Sequence, residues 1–363
     1  MSTTIEVPPV SPPAVPRGRR RNRPSGLLLY LLVRALLIIP TVFILVTLVF
    51  FLMRSTGDPI TAALGGRLPA DQLQERIREA GYDRPLLVQY VDYLGQIARG
   101  DFGRSLSDGR SIGEIVVTFG GATLELAVYA LLVAFVVGVP LGMLAAKLRD
   151  RWPDATLRVL AILAYATPVF FAGLLLKLVF SVWLNVLPVA GRASTRVQIQ
   201  FDSMPNPTGI YLIDAIRLGD GNAIGDVLWH AILPGLALGL LTAGIFLRLV
   251  RTNMIDTLGR DYIDAARSRG VGEFRLTRTH AWRPALIPII TVIGLQIALL
   301  LGGAVLTETT FEWRGLGFQI AQYLQARDFV AVQGMVVVLA IIVAVTNFVV
   351  DVIAALIDPR VRY

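Results

Sequence analysis

Residues 27–53 read LLLYLLVRALLIIPTVFILVTLVFFLM. This run, Leu27–Met53, exceeds the roughly 20 residues that an α-helix needs to cross the hydrocarbon of a bilayer. Five more apolar runs follow: Gly121–Ala146, Leu157–Leu187, Val227–Val250, Pro284–Leu306 and Ala331–Ile357. Lipid admits only helices and closed barrels, because every backbone polar group must find a partner without water. The runs are continuous rather than alternating, so they read as helices. The expected fold is an all-α membrane protein with six transmembrane helices and a small external helical subdomain.

Composition points the same way. Of 363 residues, 55% are hydrophobic and 17% charged. Soluble chains hold about 45–50% apolar and about 25% charged residues, so a soluble enzyme is disfavoured. The chain has no Cys, which excludes disulfides, thiolate catalysis and Cys-based metal sites. Its two histidines, His230 and His280, cannot build a histidine cluster for a metal. No catalytic residue and no metal site are expected. The net charge of +8 sits between the apolar runs, which reads as orientation in a bilayer and not as nucleic-acid binding.

The Arg17–Arg23 cluster precedes the first run, and the 251–283 loop carries Arg251, Arg260, Arg267, Arg269, Arg275, Arg278 and Arg283. The positive-inside rule then places both termini and that loop in the cytoplasm, with the 54–120 and 188–226 loops outside. Residues 1–26 read as a disordered basic tail, 27–53 as the first span, 54–116 as an external helical region and 358–363 as a cytoplasmic tail. No A-x-A-like site follows the first run, so it reads as uncleaved. In the outer loop, Leu73, Ile77 and Ala80 mark one short amphipathic helix. Leu87, Val91, Leu94 and Ile97 mark the stripe of another over 84–98. Pro140, Pro168, Pro234 and Pro288 are expected to kink or start helices. Pro205, Pro207 and Gly209 argue against one continuous helix over 188–226.

Within 251–283, Asp261 reads as an N-cap, and Asp264 three residues on imitates a capping box. Asp264 can pair with Arg267 at i,i+3, and Gly270 suits a left-handed helix end. A short cytoplasmic helix follows, whose Ala265 and Ala266 allow a partner to approach closely.

The segment Asp261-Tyr-Ile-Asp-Ala-Ala-Arg-Ser-Arg-Gly270, followed by Leu286-Ile-Pro288, resembles the EAA loop of ABC importer permeases. Asp264 stands where that family has Glu. Thr56-Gly-Asp-Pro59, Gly100-Asp-Phe-Gly103, Thr123-Leu-Glu-Leu126, His230-Ala-Ile-Leu-Pro234, Gly315-Leu-Gly317 and Asp358-Pro-Arg-Val-Arg-Tyr363 look like the dipeptide/oligopeptide/nickel branch. The resemblance covers about Leu27 to Tyr363. It implies a type I permease domain over 117–357 in a prokaryotic inner or plasma membrane. It also implies a second, similar permease, two cytosolic ATPases, an extracytoplasmic binding protein and peptide cargo. Asp261, Asp264, Ala265, Ala266, Arg267 and Gly270 become the coupling residues that meet an ATPase. The chain lacks Gly-x-x-x-x-Gly-Lys-Ser/Thr, so ATP and Mg belong to those partners and this chain holds no cofactor.

Three charges at membrane depth are candidates for the translocation path. Lys177 either faces a cavity and meets a peptide carboxylate, or it snorkels or pairs with another helix. Glu125 and Glu308, near external helix ends, either face the path or pair structurally. Within the family, nickel or glutathione is the alternative cargo. An ion-coupled secondary transporter would need an inverted repeat and midplane acids, and an intramembrane hydrolase a nucleophile with its base. The sequence displays none of these.

Overall fold

The computed structural model describes residues 25–55, 57–66 and 68–357. Of the expected terminal tails, residues 1–24 and 358–363 lie outside the described residues. All named elements among the described residues are helical.

Helix α1, Ser25–Ser55, contains Pro40 and packs against the last helix. Its C-terminal end carries a small subdomain of α2 (Pro59–Leu64), α3 (Ala70–Glu79) and α4 (Leu86–Ala98). Asp58 caps α2, accepting from Ile60 N and Thr61 N at 3.2 and 2.8 Å. The expected stripe on α4 is corrected. Leu87 and Val91 face outward, whereas Tyr90 and Tyr93 pack on Phe50 with ring centres 5.3 and 5.4 Å away. Aromatic contact with α1 outweighs the aliphatic pattern, because those rings bury more area and Tyr90 also shares a 2.7 Å hydrogen bond with Thr47.

Helix α5, Ile112–Val133, is capped by Ser111, which accepts from Glu114 N. It runs through a π turn at Ala134–Gly138 into α6, Val139–Lys147. The π turn ends two residues before Pro140, which lacks an N–H to continue the regular ladder.

The third apolar run is not one straight span. Helix α7 covers Trp152–Ala166, and α8 covers Val169–Leu176 with a π extension over Lys177–Trp183. The two halves meet at 106°. Thr167 is extended, with ψ 126°, as expected for a residue before proline, and Pro168 opens the second half. The 188–226 segment then forms two short helices, α9 (Thr195–Asp202) and α10 (Tyr211–Leu218).

Helix α11, Gly221–Leu258, is the scaffold against which α5, α6, α7, α8 and α10 pack. Its close approach to α5 depends on small residues: a Cβ at Gly239 would lie 2.6 Å from Ala130 O. The helix passes through Pro234 unbroken and runs eight residues beyond the expected end at Val250, so the following loop is shorter than 251–283. Then come α12 (Asp261–Ser268), α13 (Glu273–Arg275), a π segment over Leu276–Ala281, and α14 (Trp282–Phe311). The side chain of Pro288 lies outside the described residues. Helices α15 (Leu316–Gln325) and α16 (Phe329–Ile357) close the fold.

Among the described residues, α1, the α5–α6 rod, α11 and α16 are long and apolar enough to cross a bilayer, and the bent α7–α8 pair adds a fifth candidate. A further charge pair lies within the apolar helices: half-exposed Arg34 on α1 meets Asp351 on α16 at 3.4 Å.

Candidate functional site

Two polar regions stand at opposite ends of the helix assembly. At the first, α11 ends at Leu258 and the chain turns through Gly259 into α12. Arg260, not Asp261, occupies the N-cap position, and no side chain caps the helix. Asp261 is a first-turn acid that favours the positive helix start. The anchor is Ile263, fully buried with Val250, Met254, Leu276, Ala281 and Ala285. Ala266 is half-buried against the same cluster, so Ala265, not Ala266, faces outward.

Arg267 joins the segment together. Its Nη1 donates to Asp264 at 2.6 Å and its Nε donates to Glu273 at 2.6 Å. The guanidinium hydrogen bond holds the Glu273 carboxyl below its usual range. Gly270 takes φ +82°, the left-handed conformation that turns the chain back. Asp261, Tyr262, Asp264, Ala265 and Phe274 are left exposed on this compact projection. The sequence reading missed Ile263, Tyr262 and Phe274. The spacing of Ile263 and Ala266 at i,i+3 was the available signal for the packed face.

At the other end, each candidate path residue has a partner inside the chain. Glu125 is almost fully buried. It accepts from Arg192 Nη2 at 2.6 Å, Leu212 N at 2.8 Å and Tyr129 Oη at 3.0 Å. Arg192 also donates to Gly209 O at 2.8 Å and lies 3.7 Å from the Tyr211 ring centre. The segment between α8 and α11 is thereby fastened to α5.

Glu308 on α14 is fully buried and accepts from Thr123 Oγ1 at 2.7 Å and Phe318 N at 2.8 Å. Thr123 Oγ1 in turn accepts from Leu316 N at 2.8 Å, and Trp313 Nε1 donates to Ala122 O at 2.8 Å. Lys177 Nζ donates to Thr310 O at 2.8 Å and lies 5.5 Å from the Phe311 ring centre. A cation at the last carbonyls of α14 complements the helix dipole. Glu125 and Glu308 thus hang on one stretch of α5, while Lys177 braces the far side of the α14 end.

A third brace, unread in the sequence, ties the loop before α5 to the start of α16. Buried Asp328 accepts from Ser105 Oγ and Ser107 N, both at 2.9 Å, and caps α16 through Ala331 N at 3.0 Å. Beside it, Asp108 accepts from Arg110 at 2.6 Å and from Tyr323 Oη at 2.8 Å. Among the described residues no group of His, Asp and Glu is arranged to hold a metal.

Long apolar helices, internally paired charges and a short helix projecting from one end define a polytopic α-helical membrane protein. The chain belongs to the family of binding-protein-dependent transport system inner membrane components, whose pattern matches residues 138–363. It is 39% identical over 340 residues to the dipeptide transport system permease protein DppB of Escherichia coli (strain K12), covering 93% of this chain and 99% of that protein. The di/tripeptide transport system permease protein DppB of Pseudomonas aeruginosa (strain UCBPP-PA14) is 37% identical over 329 residues, covering 90% and 96%. The glutathione transport system permease protein GsiC of Salmonella choleraesuis (strain SC-B67) is 33% identical over 335 residues, covering 92% and 99%.

Proposed function

We propose that this chain forms one half of the membrane pathway of an ATP-driven importer of di- and oligopeptides. In this reading six spans cross the bilayer, α14 supplying the sixth, and both termini and α12 face the cytoplasm. A second permease completes the pathway, an external binding protein delivers peptide, and two cytosolic ATPases carry ATP and Mg. The names of two relatives support peptide cargo. Glutathione, itself a peptide, is the second cargo reading, supported by the third.

The observation that carries the mechanism is α12. Gate state and nucleotide state can influence one another only through an element whose contacts differ between states. Helix α12 is short, anchored by Ile263 in the core where α11 ends and α14 begins, and stiffened by the Asp264–Arg267–Glu273 bridge. Movement of a partner against its exposed Asp261, Ala265 and Gly270 side would be passed to α11 and α14 together. Ala266 and Arg267 hold the helix in shape. Glu125, Glu308 and Lys177 act on the path from its outer wall, holding the loops that frame it. Reconstitution of the chain with its partner subunits in proteoliposomes tests the reading. Dipeptide uptake is expected only with binding protein and ATP together. Uptake by this chain alone, driven by an ion gradient, would overturn it.

A further inference from the structure

A cleft of about 310 Å³ lies between the Arg158–Tyr165 stretch of α7 and the Gly244–Thr252 stretch of α11. Three arginines line it: Arg158, Arg248 and Arg251. Arg251 is committed, since its Nε and Nη2 donate to the two oxygens of buried Asp154 at 2.6 and 2.7 Å. That bidentate pair uses both oxygens of the Asp154 carboxylate. Arg158 reaches Asp154 only at 3.7 Å and its side chain is half-exposed. Arg248 has no ion pair among the described residues and only the Tyr165 ring beside it, 6.0 Å away. Two guanidinium charges are therefore left without full compensation in one cleft.

The rest of the cleft is apolar. Its floor is the closest contact of the two helices, where a Cβ at Gly244 would stand 2.8 Å from Ala161 O. Its walls are Ile162, Tyr165 and Leu247. The apolar surface continues outward along α7, where Ile162, Leu163 and Tyr165 are each more than half exposed. Trp152, the first residue of α7, is 80% exposed. An exposed Trp at the start of an apolar helix marks the membrane–water interface. Arg158 stands six residues further on, about 9 Å along the axis. An arginine at that depth reaches the headgroups by extending its side chain back toward the interface, while Ile162 and Tyr165 lie further along α7.

We propose that this cleft binds an anionic phospholipid, with its phosphate between Arg158 and Arg248 and an acyl chain along Ile162 and Tyr165. Basic pockets between membrane helices take anionic headgroups by this complementarity. A soluble peptide would leave its own polar backbone against apolar walls, at a desolvation cost that an acyl chain does not incur. The arginine fork suits phosphate oxygens, and neither Arg158 nor Arg248 is held in a bidentate pair that would compete for them.

The test is lipid retention by the intact chain, purified with its partner subunits and read by native mass spectrometry. The probes are phosphatidylglycerol and phosphatidylcholine with the same acyl chains. The wild type should retain phosphatidylglycerol about tenfold more strongly, in keeping with two cations near the headgroup. Arg158→Gln with Arg248→Gln should abolish the preference, whereas Arg158→Lys with Arg248→Lys should keep most of it. Both pairs leave the Asp154–Arg251 bridge intact. Should the double glutamine variant fail to assemble, Arg158→Gln alone, at a half-exposed side chain, decides. Unchanged phosphatidylglycerol preference in the glutamine variants would overturn the proposal. So would displacement of the lipid by millimolar inorganic phosphate or dipeptide, which would assign the arginines to a soluble anion or to cargo.

Discussion

Arg192 Nη2 stands 2.6 Å from Glu125 Oε2, and both side chains are almost dry. The pair joins the segment before α9 to the membrane helix α5, and Leu212 N adds the start of α10 to the same carboxylate. The segment between α8 and α11 is held by an ion pair sunk into the helix assembly.

Removing one partner of such a pair leaves an uncompensated buried charge. Arg192→Ala is expected to cost about 3–5 kcal/mol. Thermal unfolding of the purified protein in detergent measures this. The double variant Arg192→Ala with Glu125→Gln should lose less than the two single changes together, since no lone charge remains. Strict additivity would mean that the two residues act independently.

The chain has no Cys, so single cysteines can report topology without background. Ser107, Ser203 and Ser268 are all exposed. Ser107→Cys and Ser203→Cys should react with an impermeant thiol reagent in intact cells, and Ser268→Cys only after permeabilisation. Labelling of Ser268→Cys from outside, with the other two silent, would reverse the orientation.

Coupling through α12 predicts loss of function at normal abundance. Ala265→Trp enlarges an outward-facing side chain where a partner must approach. Gly270→Val forces a β-branched residue into φ +82°, at roughly 1–2 kcal/mol. Both should insert and assemble but lose cargo-stimulated ATP hydrolysis in the reconstituted complex. Ile263→Ala, which empties a fully buried site, should also destabilise the protein, by about 2–5 kcal/mol. Full stimulation in Ala265→Trp and Gly270→Val would remove α12 from the coupling.

The brace around Asp108 and Tyr323 makes a pH prediction. Burial works against the charge of Asp108, but hydrogen bonds from Arg110, Ser105 and Tyr323 outweigh it and hold the carboxyl well below its usual range. A depressed carboxylate contributes stability above its unfolded value, about 3.9, and loses it as pH falls through the folded one. Burial, then the bond to Asp108, pushes the Tyr323 phenol up to about 12. A raised group contributes fully below its unfolded value, about 10, and loses that contribution as pH rises through the folded one. The brace should therefore be constant from pH 5 to about 9 and weaken below about pH 4 and above about pH 10. Asp108→Asn should flatten the acid limb of unfolding measured against pH. An unchanged acid limb would show that the brace does not contribute.

Most of the helix content and the membrane class were legible in the chain, because hydropathy is summed over neighbours and needs no knowledge of what lies across from them. The left-handed Gly270 and the Asp264–Arg267 pair were legible for the same reason, both being set within one turn of helix. The α4 face was misread. Its aliphatic stripe and its tyrosines compete for the inside, and only the position of Phe50 on another helix favours the tyrosines. Asp261 was misread as a cap because the chain enters α12 one residue earlier, at Arg260.

Membrane-length apolar runs, basic loops and turn glycines are properties of short stretches, and the sequence carries them openly. The 106° break at Thr167–Pro168 lies between these cases. Proline makes a bend possible, but packing of α7 and α8 against α11 sets its angle. The partners of Glu125, Glu308 and Lys177 were decided by the fold alone. Glu125 and Arg192 are 67 residues apart, and Lys177 and Thr310 are 133 apart. A charge at membrane depth must find a counter-group because lone burial is too costly. Local sequence states that need, and only the packing of α5, α8, α11 and α14 determines which group meets it.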